Sequence, residues 1–202
     1  MENNDLKSIF NKILSKNISP YFKTLNFKKK GNNFKYFNSI ENYGEIVNFQ
    51  KSQFYQIRFT INIGIYLPEF QYYDYNIPKI SNENFNEPDC ALRRRIGILI
   101  DGFDKWYDLN EETNINELIS ELENDFTKYI LPYLEKFQNK NYVLEQLLDE
   151  RCIGFNEVTR VKVLWRNGYK NEILELLKNE KYHREYKGEI FDEIKNWIKE
   201  NE

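Results

Sequence analysis

The sequence predicts an α+β fold: an antiparallel sheet of about five to six strands packed against an N-terminal helix and a long central helix, followed by a small C-terminal helical appendage. Three observations lead to this reading. Apolar residues recur at helical spacing near the start and from residue 114 onward, but alternate strictly between residues 54 and 67. Clusters of Gly and Asn break the stretch between the opening helix and that strand. A chain of 202 residues with 41% hydrophobic content, 15 Phe, 15 Tyr and 3 Trp can bury a sizeable core. The pattern divides at residue 138, giving an α+β domain over 1–138 and a helical appendage over 139–202.

The opening helix runs from Leu6 to about Phe22, where Leu6, Ile9, Phe10, Ile13, Leu14 and Ile18 form one stripe and Pro20 marks a bend or stop. Turn residues Gly31-Asn32-Asn33 and Asn42-Tyr43-Gly44 then separate strands expected near 26–30, 34–39 and 45–52. The clearest strand is Phe54 to Leu67. Ile57, Phe59, Ile61, Ile63, Ile65 and Leu67 fall on one face, Gln56, Arg58, Thr60, Asn62, Gly64 and Tyr66 on the other, so one face is expected in the core and one is polar.

Pro68, Pro78 and Pro88 punctuate residues 68–91, which read as a long irregular loop rich in aromatic residues, among them Phe70, Tyr72, Tyr73, Tyr75 and Phe85. Strands are expected at Arg95–Ile100 and Lys105–Leu109, joined by a turn at Asp101-Gly102. The central helix starts at Asn114, with Glu117 three residues on in the arrangement of a capping box, and bends at Pro132. Shorter helices follow near 141–149, 156–166, 170–180 and 187–200, with Asn167-Gly168 turning a helical hairpin closed by Val161, Leu164, Trp165, Ile173, Leu174 and Leu177.

No apolar run reaches the length of a membrane span, and Met1 to Asp5 has neither the basic nor the apolar part of a signal peptide, so a cytoplasmic protein without a membrane partner is expected. Cys90 and Cys152 lie far apart without C-x-x-C spacing, which fits reduced thiols and signals neither a disulfide framework nor a zinc knuckle. The net charge of -3 divides unevenly: residues 1–110 carry 15 Lys and Arg against 12 Asp and Glu, and residues 111–202 carry 14 against 20. A basic excess that small weighs against a nucleic-acid surface, and Lys28-Lys29-Lys30 reads as a solvated hairpin end.

The segments Phe49-Gln50-Lys51-Ser52, Phe59 to Ile65, Cys90, Arg94-Arg95-Ile96-Gly97 and Asp104-Lys105-Trp106-Tyr107 follow one another at characteristic spacing. In this the chain resembles the bacterial domain-of-unknown-function family 4304 over residues of about 5–137. The resemblance implies a fold and a set of signature positions; it implies no activity.

Strand alternation gives the polar signature positions a common face. Asn48 and Gln50 share a parity on one strand, and Arg58, Thr60 and Asn62 share one on the next. Together with Arg95 and Trp106, they could line a groove in which amides and guanidiniums meet a carboxylate, phosphate or peptide, with Tyr72 and Tyr73 of the loop adding contact area. A solvated sheet face is the plainer alternative. In Arg93-Arg94-Arg95, alternation sends the middle side chain to the opposite face, and Asp101 and Asp104 suit a turn better than a cation site. Cys90 next to the arginines could be an activated thiol or a buried structural one. The single histidine, His183, reads as a surface residue without helpers, and no glycine-rich phosphate loop occurs, so no cofactor or metal is called for.

Three functions compete. A noncatalytic module binding a protein or peptide partner leads, because Asn and Gln recognise but do not titrate. An enzyme acting on a small anionic substrate through Arg58, Arg95, Asp104 and Cys90 follows, and single-stranded nucleic-acid binding comes last. Oligomeric state is not legible from the chain.

Overall fold

The computed structural model describes residues 3–52, 57–75, 84–137, 139–149, 157–179, 182 and 188–201. The apolar stripe at the start forms α1 (Asn3–Ile13), which passes through a π turn (Leu14–Ile18) into α2 (Ser19–Thr24). Four strands follow in antiparallel order, β1 (Lys28–Lys30), β2 (Asn33–Asn38), β3 (Tyr43–Lys51) and β4 (Ile57–Tyr66). Gly31 and Asn42 take positive φ at the two tight connections, which is why Gly and Asn stand there. Helix α3 (Pro68–Tyr75) and a 3-10 turn (Glu87–Asp89) lead to β5 (Leu92–Arg95), α4 (Ile96–Ile100) and β6 (Tyr107–Leu109).

After β6 come α5 (Ile115–Asp125), a second π turn (Phe126–Ile130) and α6 (Leu131–Glu135). Asn114 caps α5 as expected, accepting from the amides of Asn116 and Glu117, while its own side-chain NH2 donates to Glu117. Both π turns have the same cause. A proline ring clashes with the carbonyl four residues earlier, which is Lys16 for Pro20 and Lys128 for Pro132. Widening the turn relieves the clash: the Ser19 and Leu131 amides reach back five residues, to the Leu14 and Phe126 carbonyls. The helices thus bend around the core without stopping.

One face of the sheet packs under these helices. Phe22 stacks on Phe34 with ring centroids 4.1 Å apart and meets Phe126 edge-on at 5.0 Å, and Phe10 meets Phe59 edge-on at 5.0 Å. Ile57, Phe59, Ile61 and Ile63 lie beneath them, fully on the expected face. Asp125 is buried at the edge of this core, where it accepts from the Tyr107 hydroxyl at 2.6 Å and pairs with Lys105.

The C-terminal helices α7 (Lys140–Asp149), α8 (Glu157–Arg166), α9 (Lys170–Lys178) and α10 (Glu189–Glu200) pack on the sheet region in a second core. Val143, Leu147, Val161, Leu164 and Ile194 share one buried cluster with Tyr43, Ile65 and Leu67 of the sheet region. The Glu41 carboxylate accepts the Lys140 amide at 2.6 Å and so fixes the start of α7. The α8–α9 hairpin turns at Gly168 with positive φ. Of its expected apolar set, Leu174 faces outward instead. No helix among the described residues is long and apolar enough to cross a membrane.

Three expectations need correcting. Residues 68–75 are helical rather than loop, because Pro68 occupies the first helical position, where its missing N–H is no loss; residues 76–83, with Pro78, lie outside the described ones. Residues 96–100 form a helical turn, not a strand: Ile96, Leu99 and Ile100 recur at helical spacing and all turn to the core. Finally, the second face of β4 is not polar throughout. Ile46, Tyr66, Phe85 and Cys90 form a small apolar cluster that covers its Tyr66 end, with Phe85 stacked on Tyr66 at 4.5 Å.

Gly64 lets that cover approach. A Cβ there would stand 2.5 Å from the Cys90 sulfur and 2.9 Å from its Cβ. Gly64→Ala is expected to lower unfolding free energy by about 1–3 kcal/mol through overpacking, measured as a shift of the urea midpoint at unchanged m value.

Candidate functional site

The register of the sheet places one polar residue from each of four strands in a single row. Asn33 opposes Asn48, Asn48 opposes Asn62, and Asn62 opposes Arg95. Directly opposed residues on adjacent strands share a face and stand close enough to bond. The side chains do so in sequence. Asn48 donates to Asn33 at 2.7 Å, Asn62 donates to Asn48 at 3.3 Å and to Gln50 at 2.8 Å, and Arg95 Nε donates to Asn62 Oδ1 at 3.3 Å. Asn62 is only 4% exposed, so its two NH2 donors and its carbonyl must be matched internally, and the row matches them.

The row ends on a folded-back loop. Chain between β5 and β6 leaves the sheet because both strands use the same edge of β4 at separate places, residues 62–65 and 57–59. Within the gap, the Thr60 hydroxyl donates to the Lys105 carbonyl at 2.7 Å. The loop closes tightly over Gly97, where a Cβ would lie 2.0 Å from the Phe103 carbonyl oxygen. This brings Asp104 to Arg95, 2.7 Å from Nη1, and to the Trp106 indole N–H at 3.1 Å. The Trp106 ring is then flanked by two guanidiniums, Arg58 at 5.5 Å and Arg95 at 5.7 Å. Arg58 Nε stands 3.4 Å from Asp108 as an ion pair but makes no directed hydrogen bond there.

Beside the row a groove of ≈ 390 Å³ is lined by Gln50, Asn62, Glu87, Ile98 and the three arginines of β5. Arg93 is tied to Glu87 by two hydrogen bonds, at 2.7 and 3.0 Å. Alternation predicts the opposite face for Arg94, but its side chain curls back, with Nη1 donating to the Arg93 carbonyl at 3.0 Å, and reaches the groove wall. Ile98 and Phe103, 49% and 76% exposed, give the loop an apolar rim.

The candidate residues therefore separate into two groups. Asn48, Gln50, Asn62 and Arg95 are brought together, with Arg58 and Trp106 at one end. Tyr72 and Tyr73 are not part of this assembly: α3 follows the far end of β4, and Tyr73 packs edge-on against Trp197 at 6.4 Å. Cys90 is buried, and its thiol is pushed well above the ordinary range, first by burial and then by Glu87 and Asp89, which outweigh Arg93 and Lys35. That environment opposes a thiolate nucleophile. Asp101 accepts the Phe103 amide as a turn residue would. No group of three or more His, Cys, Asp or Glu among the described residues could hold a metal ion. Cys152 and His183 lie outside the described residues.

Asn33, Glu87 and Ile98 escaped the sequence reading. Asn33 looked like a turn residue, but its place directly opposite Asn48 follows once the hairpin register is counted back from Asn42.

The family model described as a domain of unknown function (DUF4304) matches residues 18–136, more than half of the chain. The chain belongs to that family. The whole sheet, the Asn33–Arg95 row and the groove fall within the matched span. No curated protein and no solved structure matches the chain.

Asn62→Ala is expected to keep a single cooperative unfolding transition while lowering stability by about 1–3 kcal/mol, because Arg95 Nε and two amide oxygens lose their partner. In a double-mutant cycle with Arg95→Ala, the two losses should fall short of additivity by at least about 0.5 kcal/mol.

Proposed function

We propose that this chain is a noncatalytic cytosolic binding module whose groove beside β5 grips an extended peptide through a carboxylate. The observation that carries the reading is the row Asn33–Asn48–Asn62–Arg95, which holds Gln50 and Arg95 at the groove wall by hydrogen bonds across four strands. Groups fixed in this way lose little entropy on meeting a ligand. Gln50 gives its carbonyl to Asn62, and its NH2 has no acceptor among the described residues, which leaves a donor for a peptide carbonyl or carboxylate. Arg94 and Arg95 place guanidinium donors at the groove wall for a carboxylate, Arg95 keeping Nη1 on Asp104, and Ile98 and Phe103 offer apolar contact for a neighbouring side chain.

Binding fits these groups better than proton transfer. The groove carboxylate Glu87 and its neighbour Asp104 are held in ion pairs with Arg93 and Arg95. Amides and guanidiniums orient a ligand without exchanging protons at neutral pH. A cytosolic setting accords with Cys90 being a buried free thiol.

A displayed library of unstructured peptides, selected on the folded protein, tests the reading. Carboxylate-bearing sequences should be enriched. Their Kd should weaken about tenfold or more in Gln50→Ala and in Arg94→Ala, the worth of one charge-assisted hydrogen bond, and change little in Tyr72→Ala. Enriched peptides that bind all three variants alike, or a library that yields none, would refute the groove as a peptide site.

A further inference from the structure

A second cavity, on the opposite side of the sheet from the groove, holds a carboxyl group that has no partner among the described residues. It measures ≈ 220 Å³ and opens between the sheet and the end of α6. Phe27, Tyr36 and Tyr43 form its walls, Leu134 covers one side and Glu135 stands on α6 as the second carboxylate. Glu45 belongs to β3, opposite Tyr36 on one side and Ile65 on the other, and is 5% exposed. It shares this face of the sheet with the aromatic core. Among the described residues no hydrogen-bond donor and no cation is paired with it; burial alone acts on its carboxyl and pushes the pKa up to about 8.

A buried acid in an apolar wall is costly to keep, and a neutral amide or an aliphatic side chain would fill the same space at lower cost. The geometry points to a binding site for a primary alkylammonium group, the head of a small amine or of a lysine side chain, with Glu45 as counter-ion and Phe27, Tyr36 and Tyr43 as walls. Aromatic faces attract a cation at close range, and the ionised carboxylate supplies both charge and acceptors for the ammonium donors. The volume suits a short chain, since a cavity of about 150 Å³ already admits benzene. Glu135, exposed at the mouth, adds attraction for the same sign of charge. Of the other titratable groups lining the cavity, Tyr43 is raised by its own burial first and by Glu45 second, so it stays a phenol. This site is independent of the peptide groove.

Entry of the ammonium ion turns Glu45 from neutral acid to carboxylate, and the displaced proton goes to solvent. Binding must therefore tighten with pH: below about 8, affinity should rise about tenfold per unit while the amine stays charged. Calorimetric titration of the full chain with n-butylamine at pH 6.5, 7.5 and 8.5, in buffers of different ionisation enthalpy, reads both the affinity and the proton count. Expected are saturable binding, release of about one proton at the lowest pH, and a loss of about tenfold or more in Glu45→Gln, whose amide imitates the neutral acid and should leave the fold intact. n-Butanol, of the same shape without the charge, should not bind. A parallel titration with a blocked lysine amide separates the sources: tighter binding of the free amine indicates a metabolite, and tighter binding of the lysine derivative indicates a protein side chain. Equal binding of butanol, affinity independent of pH, or no saturation by butylamine would overturn the proposal without recourse to any variant.

Discussion

Strand β4 is paired with β3 over residues 59–66 and, on its other edge, with β5 and β6 placed end to end with a gap between them. Most of the architecture follows from filling that arrangement. Because one edge is shared, the chain between β5 and β6 must leave the sheet and return within eleven residues, 96–106, and it can do so only by packing its backbone on Gly97. The excursion supplies Asp104 and Trp106, and it fixes Arg95 at the end of the polar row. Both faces of β4 are then covered, by the helices on one side and partly by Phe85 and Cys90 on the other.

A buried polar row is tolerated because its members satisfy one another. An unmatched amide in the interior costs about 1–3 kcal/mol, more than a single bond returns, so a partial row would be worse than an apolar one. Here Asn48 and Asn62 each donate and accept across strands, Asn33 and Gln50 accept, and the chain of bonds terminates on Arg95, whose Nη1 is paired with Asp104. Such a row also pins the register, since a slip by one residue would turn every one of these side chains into the helix-packed core. Glu45 breaks the rule on the opposite face. It is buried and has no partner among the described residues, and that exception marks the second cavity.

Much of this was legible in the sequence. Period alone placed α1, β4, α5 and the four C-terminal helices, and parity placed Asn48, Gln50 and Asn62 on one face. Proline misled where its role depends on position: Pro68 starts α3, whereas Pro20 and Pro132 are absorbed by π turns. Residues 96–100 misled because five residues are too few for a period to declare itself, and the shared β4 edge that forces the turn is a property of three strands at once. Asn33 was missed for the same reason, since a row across four strands exists only once all the registers are known. The tyrosines Tyr72 and Tyr73 were grouped with the groove by composition, but the helical content of residues 68–75 carries them toward α10.

The measurement that bears most directly on this account is solution NMR of the side-chain amides of the folded protein. If Asn48 and Asn62 are locked in the cross-strand row, their NH2 protons should be shifted from the values of free amides and exchange with water at least about tenfold more slowly than those of an exposed residue such as Asn116, in the manner of buried hydrogen-bonded groups. The Arg95 Nε proton should be protected with them. Unshifted, freely exchanging Asn48 and Asn62 amides would contradict the account, because the groove would then lack the fixed wall that the cross-strand row gives it.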